Sequence, residues 1–186
     1  MSKIVYSRID TVRALESIKR MPGVFTPTGS RMYAQADYDS DWDFIVNPYV
    51  TWHGGDVMQE LITQWSLGQS VVCTHHLAND TGYPVSEDGG SVVYLETYDT
   101  SGLMYYAQPK MINLIFVSQG EEYWAWLKTT VLMRTVIRPQ EPKRINIKAE
   151  RVTMFRAAMK TALSMHKHDK QTIEEECAEL RAQLPW

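Results

Sequence analysis

Cysteine is nearly missing from this sequence: Cys73 and Cys177 are the only two in 186 positions, and they form no CxxC spacing. That excludes a disulfide framework and argues against a thiolate zinc site. Long apolar runs are missing as well. No stretch approaches the ~18 apolar residues of a membrane-spanning helix, and the opening MSKIVYSRID has no apolar segment of the kind a secretory leader needs. The expectation is a cytoplasmic protein with no membrane partner. Internal repeats, low-complexity segments, helix-turn-helix or zinc-finger patterns and RNA-binding aromatic motifs are also lacking, so sequence-specific reading of nucleic acid has no support. What is present is enough for a core: 44% of the residues are hydrophobic and 22% charged, which at this length predicts one principal domain.

The net charge of −3 conceals a division along the chain. Residues 1–127 hold 7 basic and 15 acidic side chains, net −8, whereas residues 128–170 hold 11 basic and 3 acidic, net +8. An acidic part followed by a basic part suits a metal site beside an anionic substrate. Helices that expose charge runs to water are the plainer account. Arg144, Lys148, Arg151, Arg156 and Lys160 are the candidates for contact with nucleic acid or another polyanion.

Apolar spacing predicts a helix over 9–21 ending at Pro22-Gly23, a strand over 23–28, and a strand over 43–46 halted by Asn47-Pro48. Asp56 heads a helix ending near Gly68, and residues 79–90 read as a loop. Residues 91–98, 103–107 and 111–117 read as strands, the first two forming a hairpin. Ser118 and Glu121, and later Thr172 and Glu175, have capping-box spacing ahead of helices, and a further helix carries Val152, Phe155, Met159 and Leu163. Trp124 and Trp126, two apart on a helix, cannot share a face, so one is expected in the core and the other exposed or at a subunit interface. A homo-oligomer through that helix is a candidate assembly. Cys73, His75 and His76 fit no zinc spacing and are expected in a half-buried strand. The division is an α/β core over 1–138 and a helical extension over 139–186 packed on it.

The stretch TGSRMYAQADYDSDWDF, residues 28–44, concentrates the chemistry. On a strand, Asp41 and Asp43 point to one face while Trp42 and Phe44 pack on the other. Two carboxylates about 7 Å apart on one face repel unless a cation joins them. Mg²⁺, or Mn²⁺ in its place, is the economical answer, since it takes one or two carboxylates and completes its shell with water and phosphate oxygens. Gly29 lets the backbone approach a phosphate, Ser30 adds a hydroxyl, a helix beginning at residue 30 would add its dipole, and Arg31 is placed to join.

Gly29-Ser30 followed by Ser40-Asp41-Trp42-Asp43-Phe44-Ile45-Val46 resembles the signature of the nucleotidyltransferase superfamily related to DNA polymerase β, and the 12 positions from Gly29 to Asp41 resemble the minimal nucleotidyltransferases. The resemblance implies an α+β fold, a mixed sheet flanked by helices with a C-terminal helical part. It also implies Mg²⁺-dependent transfer of a nucleoside monophosphate from a nucleoside triphosphate to a hydroxyl of protein, RNA or a small molecule. Asp41 and Asp43 would then hold the metal, and Gly29, Ser30, Arg31 and Ser40 the nucleotide. The family carries a third acid on a later strand; here KMINLIFV, residues 110–117, has Asn113 in its place. Asn113 can offer an oxygen to a metal but cannot act as a base. Glu96 is the candidate substitute, with Asp99 behind it. The alternative is a degenerate member that binds RNA or a host protein. The block from Asn113 through EEYWAWLKTT also resembles phage-encoded proteins of this fold, which would place the chain in a host cytoplasm as a counter-defence or regulatory factor.

Overall fold

The computed structural model describes residues 9–33, 40–49, 56–66, 76–77, 91–98, 110–117, 120–136, 145–165 and 170–184. Its elements run β1 (Ile9–Asp10), α1 (Thr11–Lys19), β2 (Phe25–Thr28), α2 (Ser30–Tyr33), β3 (Trp42–Val46), α3 (Asp56–Trp65), β4 (His76–Leu77), β5 (Ser91–Tyr98), β6 (Lys110–Phe116), α4 (Gly120–Val136), α5 (Ile145–Met165) and α6 (Lys170–Ala182). This is a mixed α+β protein, as the alternation of strand and helix patterns predicts. No helix among the described residues is long and apolar enough to cross a membrane.

The strands form one mixed sheet in the order β1-β5-β6-β3-β2, with β4 also on β5. β3 lies antiparallel to β2 and parallel to β6, and β6 lies antiparallel to β5. The expected strand over 103–107, and with it the hairpin, lies outside the described residues, as do Cys73 and His75. β5 is paired with β6 over seven positions. The first helix begins at Thr11 rather than at residue 9, because the Asp10 side chain accepts a hydrogen bond from the Arg13 N–H at 2.9 Å. That N-cap contributes about 1 kcal/mol and leaves Ile9 to the sheet. α6 begins at Lys170, two residues before the expected Thr172 cap.

Alternation along β3 divides the core in two. Phe44 and Val46, with Ile112 and Leu114 of β6, pack with Ala14 and Ile18 of α1 and Trp65 of α3. Ile45 and Ile115 point the other way, into a cluster with Trp126 of α4, Phe155 and Met159 of α5, and Ile173 and Cys177 of α6. The sheet is thus the middle layer between α1/α3 and α4/α5/α6, and the C-terminal helices are part of the main core.

α4 is the centre of its layer. Tyr123, Trp124, Ala125, Trp126 and Leu127 are all buried, so this stretch of the helix is covered on every side, whereas Lys128, Leu132, Thr135 and Val136 further along are exposed. This corrects the expectation that one tryptophan is exposed: each is 2% exposed. Trp126 faces the sheet and donates to Thr28 Oγ1 at 3.0 Å, and Trp124 faces α6 and donates to Glu176 Oε2 at 2.5 Å. Neither offers a surface for base stacking or subunit contact.

Candidate functional site

Register brings the polar residues together. Thr28 of β2 stands opposite Asp43 of β3, and Asp43 opposite Asn113 of β6, so the three form one row across three strands. Residues directly opposite one another share a face of the sheet. Thr28 identifies that face as the one under α4, since its hydroxyl meets Trp126 and lies 2.8 Å from Thr130 Oγ1. One row further along, Thr26 and Ile45 stand opposite each other beneath the same helix, and the Thr26 hydroxyl lies 3.3 Å from the Tyr123 hydroxyl. The polar row therefore sits where the buried apolar layer gives way to the strand end that carries Gly29.

Gly29 turns the chain out of β2 with φ +72°, a left-handed conformation that favours glycine. A Cβ on Gly29 would overlap the Asp43 carboxylate and lie 2.8 Å from its Cγ. Bare backbone and carboxylate are in contact there, so the Gly-Ser turn and the acid motif, separate in sequence, are one structure in space. Ser30 is half-buried at the first position of α2. That element is only four residues long, which corrects the expectation of a useful helix dipole: a single turn aligns too few peptide units.

Asp43 is half-buried and accepts a hydrogen bond from Asn113 Nδ2 at 2.9 Å. Asn113 is itself 2% exposed. It turns an N–H toward the carboxylate, which one more acid at that position would repel. Asp41 lies just before β3 with its side chain exposed. Glu96 pairs with Met111, two residues from Asn113 and on the next strand out. Its backbone is thus two strands and two residues from Asp43, about 12 Å by ordinary sheet spacings.

Arg31 is occupied by the protein itself. Its Nε donates to the carbonyls of Ser40 and Asp41, both at 3.1 Å, its Nη2 donates to Ser40 at 2.5 Å, and its guanidinium lies 4.0 Å from the centroid of the Trp42 ring. Burial lowers its pKa, against the raising pull of Asp41 and Asp43. The side chain clamps the backbone that leads into β3 and so fixes where the two aspartates emerge. Ser40 is buried and enters this clamp through its carbonyl.

The basic candidates whose side chains are described differ in exposure. Arg144 lies outside the described residues, as do His166 and His168. Lys148 lies on α5; Arg156 and Lys160 are exposed on the same helix, while Arg151 is buried. Among the described residues no group of three or more His, Cys, Asp or Glu side chains is placed to hold a metal ion.

No family model, curated protein or solved structure matches this chain.

Three residues of the site were missed from sequence. Thr28 and Tyr33 flank the Gly29 turn, and Trp126 reaches it from about 100 positions away. Thr26 and Thr28 did carry a signal: spaced by two on a strand, they share a face, and two hydroxyls on a covered face call for partners. Tyr33 is buried against Phe155, their rings stacked at 6.0 Å, and its pKa is pushed up to about 12, by burial first and then by Asp43, with Arg151 acting the other way.

Proposed function

We propose that the chain is a nucleotidyltransferase-like protein that takes a nucleoside triphosphate, with Mg²⁺, at the Gly29–Asp43 contact and transfers its nucleoside monophosphate to an acceptor hydroxyl, which gives up its proton as pyrophosphate leaves. The observation that carries this reading is that contact: a left-handed glycine whose missing side chain makes room for a carboxylate on the neighbouring strand. A purely structural turn does not need a charge pressed against it. The antiparallel β2–β3 pair, with β6 parallel to β3, is an arrangement in which the Gly-Ser turn and the Asp41-Trp42-Asp43 motif can meet one ligand.

The donor set fits one hard cation. Asp41 is open to solvent, Asp43 has one oxygen toward Asn113 and another toward Gly29, and phosphate oxygens and water would complete the shell. It does not fit a two-metal centre, because Asn113 adds no charge in the row. Mg²⁺, when bound, supplies positive charge to the phosphate oxygens. The chain itself supplies the half-buried backbone at Gly29, the Ser30 hydroxyl, and through Arg31 a fixed approach to β3.

A second reading has its own observation. The Asn113 amide donates to Asp43, so the position that the resemblance reserves for an acid stabilises the carboxylate without a metal and cannot accept a proton. In this reading the protein binds nucleotide, RNA or a host protein without transfer.

Incubation with α-labelled nucleoside triphosphates and Mg²⁺ or Mn²⁺ separates the two. Transfer predicts labelled product that disappears in Asp43→Ala and rises in Asn113→Asp. No label in wild type or in Asn113→Asp, with nucleotide still bound, leaves the binding protein.

A further inference from the structure

The C-terminal helices carry two exposed faces of opposite charge. On α5, Val152, Arg156, Lys160 and Leu163 are all exposed, and their spacings of four, four and three place them on one stripe of the helix. The apolar part of this face continues onto α4. Trp126 meets Phe155 at 5.3 Å between ring centres, and the Thr129 hydroxyl donates to the Met159 sulfur at 3.9 Å, so α4 and α5 advance together. One turn beyond that contact come Leu132, 49% exposed, and Leu163, 41% exposed, with Val136 exposed a further turn along α4. A single leucine in water is ordinary, but a row of large apolar side chains on two adjoining helices, with two cations beside it, marks a contact surface.

The opposite face is on α6. Residues 171–186 hold 4 acidic and 1 basic side chains. Glu175, Ala178, Glu179 and Ala182 are exposed and share one stripe of that helix. Its alanines let a second helix lie close between the carboxylates. The two charge patterns have the same step: Arg156 and Lys160 are four residues apart, as are Glu175 and Glu179, a rise of about 6 Å in each helix. Both faces are exposed within one chain, so neither covers the other.

We propose that the protein self-associates head to tail, the basic and apolar α5 face of one copy resting on the acidic α6 face of the next. The contact joins two different faces, so each added copy leaves one of them open, and assembly ends when a ring closes or continues as a filament. A second copy suits the α5 face better than a nucleic acid does. It brings two carboxylates at the spacing of the two cations and an alanine-lined surface for Leu163, whereas a phosphate chain would meet the cations alone. The inference concerns a surface away from the Gly29–Asp43 contact and holds whatever ligand is received there.

The test is sedimentation velocity of the full chain over a range of concentrations. It compares wild type, the double variant Arg156→Glu with Lys160→Glu, the double variant Glu175→Lys with Glu179→Lys, and an equimolar mixture of the two variants. Wild type should show a mass above the 21.4 kDa of one chain, increasing with concentration. Each double variant alone should stay at one chain, because both of its faces then carry the same sign, and should melt close to the wild-type temperature, because all four side chains are exposed. The mixture should associate again, since each variant supplies the charge that the other requires. Leu163→Ser, with the charges intact, should weaken wild-type association at least about threefold, and it covers the case in which a charge-reversed variant does not fold. Wild type that remains one chain at every concentration overturns the proposal, as does a mixture no more associated than its components. Monomeric wild type that needs Arg156 and Lys160 to retain a single-stranded RNA oligonucleotide also overturns it, and assigns the basic face to nucleic acid.

Discussion

Gly29 bears two demands at once, a φ of +72° and a carboxylate against its Cα. An L-residue with a Cβ pays roughly 1–2 kcal/mol for the left-handed conformation alone, and here the added methyl also has to displace Asp43. Gly29→Ala is therefore expected to lower the stability by at least about 2 kcal/mol in urea unfolding, and to abolish any Asp43-dependent ligand binding in the fraction that folds. Full stability in that variant would mean that the turn relaxes freely. At this scale the sequence was informative about which residues matter and uninformative about whom they meet. Gly29, Asp43 and Asn113 could be singled out from local pattern. The contacts of Arg31 were not legible, because a long side chain chooses among carbonyls, rings and ligands that spacing does not show, and its hydrogen bonds go to Ser40 and Asp41.

Between elements, the join of β2 to α4 is a chain of buried polar groups: the Trp126 indole donates to Thr28, Thr28 lies beside Thr130, and Thr130 donates to the Trp126 carbonyl. Thr28→Val keeps the shape and leaves the indole N–H without its acceptor. The expected loss is about 1–3 kcal/mol. Trp126→Phe removes the donor instead, and in the double variant the two losses should sum to more than the measured one, a coupling visible in a double-mutant cycle of denaturation midpoints. Strict additivity would show that the contact carries no energy. The boundaries of β2, β3 and β6 were legible because Pro22-Gly23, Asn47-Pro48 and the β-branched runs are local signals. The setting of α4 was not. Its two tryptophans were read as if that stretch of the helix had a wet side, whereas the sheet covers one side and α6 the other, and no single-helix pattern reveals a second covering layer.

Across the molecule, the layer of α4, α5 and α6 encloses several weak acids in their neutral form. Burial pushes the Cys177 thiol up to about 12 and the Tyr33 phenol up to about 12, and it raises Tyr123 as well. Each raised value means that the folded state holds its proton after the unfolded chain has released it. Stability from these groups is complete below the ordinary values, 9.0 for the thiol and 10.0 for the phenols, and is lost as pH rises toward 12. The melting temperature should thus be level from neutral pH to about 8.5 and fall steeply above pH 9, with the Cys177→Ala variant beginning its decline nearer pH 10. A wild-type profile flat through pH 11 would contradict the burial of these groups. The charge division along the chain does not show which basic side chains face water: on one stretch of helix Arg156 and Lys160 are exposed and Arg151 is buried.

Nucleotidyl transfer at this site requires that Asp43 and Gly29 receive a metal-bound nucleotide. Isothermal titration with Mg²⁺ and each of the four nucleoside triphosphates, on wild type and Asp43→Ala, measures that. Wild type should bind in a manner that requires Mg²⁺, and binding should be lost in Asp43→Ala while that variant still unfolds cooperatively, at a somewhat lower temperature because the Asn113 amide loses its acceptor. Binding of equal strength in the two proteins, or none by wild type to any of the four, would contradict it.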